Sequence, residues 1–209
     1  MIDEKIYRKY LDNLKEGNKK KCIEIVNSLI DEDIDVKELY IGLIQPSMYK
    51  VGELWEKDEI SVADEHLATS ITDRILTMIY PRIFSGEKKG KTAIVACVAN
   101  EYHQLGGRMV ADFFELHGWD GYFIGADTPI EDLLDLIDEK KPEVVGLSLA
   151  MYFNLPELKE AIEVIHGNYP DLDIIVGGQA FRHGGSDFLE NYQNVKYIPS
   201  LNELEEIIS

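Results

Sequence analysis

Hydrophobic residues recur every three or four positions over residues 1–84, which is the spacing of amphipathic helices. Short polar turns separate four such stripes. Representative stripe residues are Tyr10 and Leu14, Val26 and Leu29, Leu43 and Leu54, and Leu67, Ile71 and Ile75. We therefore predict a four-helix bundle for residues 1–84. Pro46 falls inside the third stripe, and its missing backbone N–H predicts a kink or a break there.

The hydrophobic rhythm changes after residues 85–91, a polar, glycine-containing segment that we predict to be a linker. Beyond it, short apolar runs alternate with amphipathic segments. The predicted strands are 92–98, 120–125, 143–149, 172–176 and 195–198, and the predicted helices are 104–117, 130–139, 155–168, 181–191 and 201–208. Strands rich in Val, Ile and Leu that alternate with helices indicate a parallel sheet covered on both faces. We predict a five-stranded flavodoxin- or Rossmann-like domain over residues 92–209.

One helix start in this half carries its own signal. Thr128, Pro129 and Glu131 have the spacing of a capping box, with threonine as the N-cap and proline at the first helical position. The pattern predicts that the Thr128 side chain caps the second helix of the domain.

Polar chemistry is concentrated where the predicted strands end. Glu101 and His103 lie on the loop after the first strand, in the pattern E-x-H-x-x-G that ends at Gly106. Open α/β sheets bind ligands at this carboxyl edge. A carboxylate near a histidine suits metal ligation, because it fixes the ring tautomer and raises the basicity of the imidazole. An isolated loop histidine without a ligand is an equally simple interpretation of this motif alone.

Two further segments end at the same edge. Ser148 closes the third strand, where its small side chain leaves room, and the fourth strand ends in Gly177 and Gly178. Each has a structural explanation by itself, since a serine can bond nearby backbone and paired glycines commonly form a turn. Together with His103 they predict a deep slot between two strands, with an imidazole from a third strand at its mouth.

These motifs resemble the cobalamin-binding Rossmann-like domain, whose pattern is D-x-H-x-x-G, S-x-L and G-G. The resemblance implies that His103 is the lower axial ligand of cobalt in a base-off, His-on cofactor and that Glu101 orients it. It also implies that Gly106 belongs to the ligand loop and that Ser148, Gly177 and Gly178 contact the nucleotide tail. Glutamate stands where most members have aspartate, which indicates either a loosened contact to the histidine or a subfamily.

The helical half extends the resemblance. Trp55, Glu65 and His66 form the pattern W-x9-E-H, which is similar to that of CarH-type cobalamin-dependent photoreceptors. A stretch that includes Asp127 and Thr128 is also similar. The resemblance implies that the bundle caps the cofactor, that Trp55 and Glu65 surround the upper ligand, and that His66 ligates cobalt after photolysis. Adenosylcobalamin is the favoured cofactor, with methylcobalamin as the other option.

The resemblance predicts a light-responsive cobalamin sensor or transcriptional co-regulator, and it favours a cofactor-binding sensor over an enzyme without deciding between them. Because no MerR-like DNA-binding segment precedes the bundle, we expect it to act through a protein partner, with homo-oligomers as an open option. The alternative is the corrinoid methyl carrier of a methyltransferase system. That family shows G-D-x-H-D-x-G-K, and this chain has Gln104 and Gly107 where the second acid and the lysine stand.

Charge and composition narrow the partners. The formal net charge is −18, with a pI near 4.6, which argues against direct contact with nucleic acid or an anionic membrane. The N-terminus lacks the charged and apolar segments of a signal peptide, and the two cysteines, Cys22 and Cys97, have no partner at metal-ligand spacing. We therefore expect a cytoplasmic protein.

Overall fold

The structure is a computed structural model that describes residues 1–85 and 87–209, with the side chains of Phe84, Ser85 and His183 outside the description. The chain divides into two compact units, Met1–Phe84 and Ser85–Ser209. Gly86, within the predicted linker, lies outside the described residues. In the described part of the chain, no helix has both the length and the apolar character needed to cross a membrane.

The first unit is helical, as predicted. Its α-helices are α1 (Glu4–Lys15), α2 (Lys19–Asp31), α3 (Val36–Leu39), α4 (Gln45–Glu56) and α5 (Val62–Ile79). A π-helical turn, Tyr40–Ile44, joins α3 to α4, so these three segments form the third helix of the predicted bundle. The π turn lies just before Pro46, which has no N–H to donate to the carbonyl four residues earlier. The predicted irregularity at Pro46 is confirmed.

The second unit is a parallel α/β sheet, again as predicted. Its strands are β1 (Thr92–Cys97), β2 (Asp120–Phe123), β3 (Val144–Ser148), β4 (Asp173–Gly177) and β5 (Val195–Tyr197). Its α-helices are α6 (Leu105–Leu116), α7 (Ile130–Lys140), α8 (Leu155–Asn168) and α9 (Leu201–Ile208). Neighbouring strands pair in parallel in the order β2-β1-β3-β4-β5. This is the flavodoxin-like order, in which β1 and β3 flank the switch point where ligands bind.

Two local predictions are wrong. Residues 181–191 are not one α-helix but parts of two 3₁₀ helices, Gln179–His183 and Asp187–Asn191. Gly184 and Gly185 between them have φ of +87° and +86°, a left-handed conformation that ends any right-handed helix.

The predicted capping box is also absent. Helix α7 begins at Ile130, as predicted, but Pro129 and not Thr128 occupies the N-cap position, and no side chain makes a capping bond. The Thr128 hydroxyl instead donates to the Gly125 carbonyl at 3.4 Å, within the preceding loop.

The sheet register aligns the ends of its three central strands. Ser148 on β3 pairs with Cys97 on β1 and with Gly177 on β4. All five residues of β3 are buried, because this strand lies in the middle of the sheet with helices on both faces. The carboxyl edge therefore presents the β1–α6 loop, the end of β3 and the end of β4 next to one another.

Candidate functional site

His103 lies on the β1–α6 loop, two residues before α6 begins. Its side chain is 44% exposed, and ring Nδ1 lies 2.7 Å from Oε1 of Glu101. The backbone N–H of His103 donates to the same oxygen at 2.9 Å. The predicted contact between the carboxylate and the imidazole is therefore present, and it is tight, not loosened.

Glu101 is fully buried and holds more than the histidine. Its second oxygen, Oε2, accepts the backbone N–H groups of Ala150 and Met151 at 3.0 and 2.9 Å and the Asn154 side-chain amide at 3.4 Å. Burial favours the neutral acid, but the hydrogen bonds from the ring and N–H of His103 and from Met151 outweigh it, so the pKa of Glu101 is lowered. The carboxylate is ionised and links the β1–α6 loop to the segment after β3.

The pair specifies one tautomer of the imidazole. An ionised carboxylate can only accept a hydrogen bond, so the neutral ring carries its hydrogen on Nδ1, which donates to it, and its lone pair on Nε2, on the opposite side of the ring. Among the described residues, no three His, Cys, Asp or Glu side chains are grouped so as to hold a metal ion. A single, oriented, half-exposed imidazole suits a metal that brings its own equatorial ligands, as cobalt in a corrin does. The residues present thus fit a cobalamin.

The sheet brings Ser148 close to the start of α6. Ser148 is 8% exposed, and a β-carbon placed on Gly106 would lie 3.6 Å from its hydroxyl oxygen. That is an ordinary contact, so the protein itself does not require glycine at position 106. Gly107 differs, because a β-carbon there would lie 2.9 Å from Phe123 and 3.3 Å from the β-carbon of Ser148. Glycine at 107 lets α6 pack closely on the strands.

The paired glycines after β4 face neighbouring backbone. A β-carbon on Gly178 would lie 2.0 Å from the Leu149 carbonyl oxygen, and φ at this residue is +121°. A β-carbon on Gly177 would lie 3.0 Å from the Ile198 carbonyl oxygen. Close packing of strand ends is thus a sufficient reason for both glycines, and their contact with a nucleotide tail stays a prediction.

The three motif residues of the helical unit lie near the junction of α4 and α5. Trp55 is partly buried in the last turn of α4. Glu65 follows the Ser61 capping box that starts α5; its side chain is 14% exposed and accepts a hydrogen bond from the Thr69 hydroxyl at 2.7 Å. His66 is 72% exposed, with Nε2 3.7 Å from Glu65 Oε2. The roles of these three residues stay predictions.

Sequence reasoning missed two residues that hold the histidine loop. Asn154, which is 3% exposed, donates from its side-chain amide to the Asn100 carbonyl at 3.0 Å. Asp127 accepts the Asn100 N–H at 2.8 Å. Asp127 belongs to the stretch that is similar to the photoreceptors, but no pattern along the chain indicates its contact with a loop more than twenty residues away.

Comparison with known proteins supports cobalamin binding. Residues 91–205 match the B12 binding domain family, and residues 6–80 match a second family model with the same description. The chain is 26% identical over 149 residues to the HTH-type transcriptional repressor CarA of Myxococcus xanthus, which covers 71% of this chain and 50% of the repressor. It is 21% identical over 150 residues to dimethylamine corrinoid protein 1 of Methanosarcina acetivorans, covering 70% of each.

The solved structure of the Methanosarcina barkeri monomethylamine corrinoid protein has the same fold, with a TM-score of 0.85 at 15% identity over 99% of this chain and 98% of that one. The chain spans only about half the length of the repressor, but most of the length of several corrinoid proteins. The first family model alone covers more than half of the sequence. The chain therefore belongs to the B12 binding domain family.

Proposed function

We propose that this protein is a corrinoid methyl carrier, which binds cobalamin base-off with His103 as the lower axial ligand and serves methyltransferase partners. The contact between Glu101 and the His103 ring supports the cofactor assignment most directly. The carrier role is supported by similarity to corrinoid proteins over 70% and 76% of their lengths, against 50% and 46% for the two repressors. The proposal replaces the sensor as the first expectation.

The residues of this chain divide the work at the cofactor. When bound, the cobalt centre would supply the nucleophile for methyl transfer. His103 would present Nε2 to the lower face of the corrin, while Glu101 holds Nδ1 and keeps that tautomer. Ser148, Gly106 and the glycines after β4 would line the path of the nucleotide tail. Methylcobalamin is the form that this role requires.

The cofactor assignment is tested by replacing the histidine. Protein labelled with ¹⁵N-histidine is loaded with cobalamin and reduced to the Co(II) state, and electron paramagnetic resonance is recorded. We expect splitting from one histidine nitrogen in the wild type and its loss in His103→Ala. His117→Ala is the matched control, because His117 lies in the same unit but bonds Phe113 and Glu205 at the far end of α6. A histidine signal that persists in His103→Ala refutes this ligand.

The carrier role is tested without a partner enzyme. The loaded protein is reduced to the Co(I) state and mixed with methyl iodide, and methylation is followed by absorbance. A carrier must expose its cobalt to other active sites, so we expect a rate comparable with that of free reduced cobalamin. A strongly suppressed rate would contradict a carrier and favour a cofactor that is permanently covered.

A second candidate is the light-responsive sensor predicted from the sequence. It is supported by the Trp55, Glu65 and His66 pattern and by 26% identity to both CarA and CarH of Myxococcus xanthus. In that case adenosylcobalamin would be the cofactor, and loss of the adenosyl group in light would alter a surface recognised by a protein partner. The response to light separates the two candidates.

A further inference from the structure

Asp127, on the loop between β2 and α7, contacts three consecutive residues of the loop that carries His103. Its carboxylate accepts the Asn100 N–H at 2.8 Å and the Tyr102 hydroxyl at 3.2 Å. Its own N–H donates to the Glu101 carbonyl at 2.9 Å. One residue thus fixes the chain immediately before the imidazole by side-chain and backbone bonds together.

The residues at both ends of the bond between Asn100 and Asp127 have a left-handed backbone. Asn100 has φ of +63° and Asp127 has φ of +49°, so both are left-handed without being glycine. Asn and Asp tolerate this conformation better than other residues because their short side chains bond nearby backbone. Here the bond runs between the two residues, so that each strained conformation supports the other. Without the carboxylate, the left-handed conformation of Asn100 would be less stable.

The opposite side of the loop is held by different groups. The Asn154 side chain donates to the Asn100 carbonyl, and the amides of Ala150 and Met151 bond the Glu101 carboxylate. The latter bonds set the side chain that orients the imidazole ring. Asp127 and Asn154 instead bond the backbone from which that ring projects, Asp127 at the Asn100 N–H and Asn154 at the Asn100 carbonyl.

We propose that Asp127 is a positioning residue for His103, which prepares the ligand loop for cobalt before the cofactor arrives. This inference rests on the proposed role of His103 as axial ligand. A loop that is already in place loses little conformational entropy on binding, so the affinity for cobalamin is higher than for a loose loop. Asp127 acts through its bonds to the loop.

Asp127→Gly and Asp127→Asn form the test pair. Glycine removes the carboxylate but accepts the left-handed backbone without strain, and asparagine keeps a neutral oxygen acceptor in a residue that also tolerates it. Lys141→Gly is the matched control, because Lys141 has φ of +48° at the end of α7 and does not belong to the histidine loop. It reproduces the effect of a new glycine on the unfolded chain.

The first readout is hydrogen exchange of the Asn100 amide in the cofactor-free protein. We expect exchange about tenfold faster in Asp127→Gly, an intermediate rate in Asp127→Asn, and the wild-type rate in Lys141→Gly, since a bond to a charged acceptor is about twice as strong as a neutral one. If Asp127→Gly does not fold, Asp127→Asn alone decides the question. A wild-type rate in a folded Asp127 variant overturns the proposal.

The second readout is the cobalamin dissociation constant together with the histidine nitrogen signal. The constant should rise about tenfold in Asp127→Gly and less in Asp127→Asn, with a reduced histidine-ligated fraction. Unchanged affinity and ligation, despite faster Asn100 exchange, would show that the loop needs no positioning and would overturn the inference. If the wild type itself shows no histidine signal, the proposed function fails while the exchange result stands.

Discussion

Glu101 shows how one residue can hold the proposed ligand His103 and stabilise the fold at once. Its Oε1 accepts a hydrogen bond from His103, and its Oε2 accepts hydrogen bonds from the backbone after β3. A buried carboxylate is costly unless its lone pairs are filled, and here donors from two segments fill them. The carboxylate that orients the imidazole therefore also links the β1–α6 loop to Ala150 and Met151, which lie 49 and 50 residues further along the chain.

Glu101→Gln should destabilise the cofactor-free protein and also weaken its binding of cobalamin. The new amide group would face N–H donors, which leaves buried groups unpaired at a cost of about 2 kcal/mol or more. Urea unfolding at pH 7 measures the loss. Because folding lowers the pKa of Glu101, this stabilisation is complete above the ordinary value of 4.5 and is lost as the pH falls through the lowered value, so the two proteins should converge in acid.

Glu157→Gln provides the control for that comparison. Glu157 is another carboxylate at this edge, partly exposed, and it accepts a 3.3 Å bond from the Asn100 side chain. Glu157→Gln should lower the free energy of unfolding much less than Glu101→Gln does. Equal losses in both variants would contradict a special role for the buried carboxylate.

At the scale of elements, the sequence predicted those helices and strands whose positions depend on the local pattern of hydrophobic residues. Strands β1, β3 and β4 were located within one residue at each end, because buried parallel strands are continuous apolar runs. The predicted helix at 181–191 failed because hydrophobic spacing outweighed the Gly184–Gly185 pair in that interpretation. A double glycine with positive φ is a stronger signal than the period around it.

The contacts of the candidate site likewise divide into local ones, which the sequence predicts, and long-range ones, which it does not. His103 and Glu101 are two residues apart, so their contact could be predicted from the motif. The contacts of Asn154 and Asp127 join loops far apart along the chain, and they arise only because β1, β2 and β3 end side by side. No single segment contains that information, which is why one sequence without its fold could not predict them.

Gly178 provides a test at this scale. Gly178→Ala would place a β-carbon 2.0 Å from the Leu149 carbonyl oxygen at a residue with φ of +121°. We expect a loss of about 2 kcal/mol or more in the free energy of unfolding, because backbone must move and a left-handed residue gains a side chain. Chemical denaturation of the cofactor-free protein measures it.

Gly167→Ala is the matched control, since Gly167 lies in α8 and the new β-carbon would meet nothing within 4 Å beyond its chain neighbours and the backbone of its own helix. Alanine there should raise stability by a few tenths to about 1 kcal/mol. If Gly178→Ala were as stable as Gly167→Ala, the paired glycines would not be explained by packing, and a purely ligand-related reason would gain weight.

At the scale of the whole molecule, the charge of −18 constrains how a carrier would work. A carrier must meet more than one enzyme and leave each one again. Complementary charge speeds such encounters and is weakened by salt, while tight apolar contacts would slow release. The proposed partners are therefore expected to present basic surfaces to this protein.

The response to light separates carrier from sensor, and His66 is the residue that should report it. The adenosylcobalamin-loaded wild type and His66→Ala are desalted in the dark, illuminated with green light, and compared by absorbance. For a carrier we expect the same photoproduct spectrum from both proteins, because the exposed His66 side chain then does not ligate cobalt. His117→Ala, which alters a histidine of the other unit, controls for general loss of a histidine.

The opposite result would revise the proposed function and not the cofactor. If the wild-type photoproduct carries a second imidazole and His66→Ala lacks it, the photoreceptor resemblance of Trp55, Glu65 and His66 extends to their chemistry, and the protein is a sensor. The His103 assignment survives either outcome, because the lower ligand is tested by its own nitrogen signal in the dark. A failure to retain any cobalamin in the dark would instead contradict both candidates.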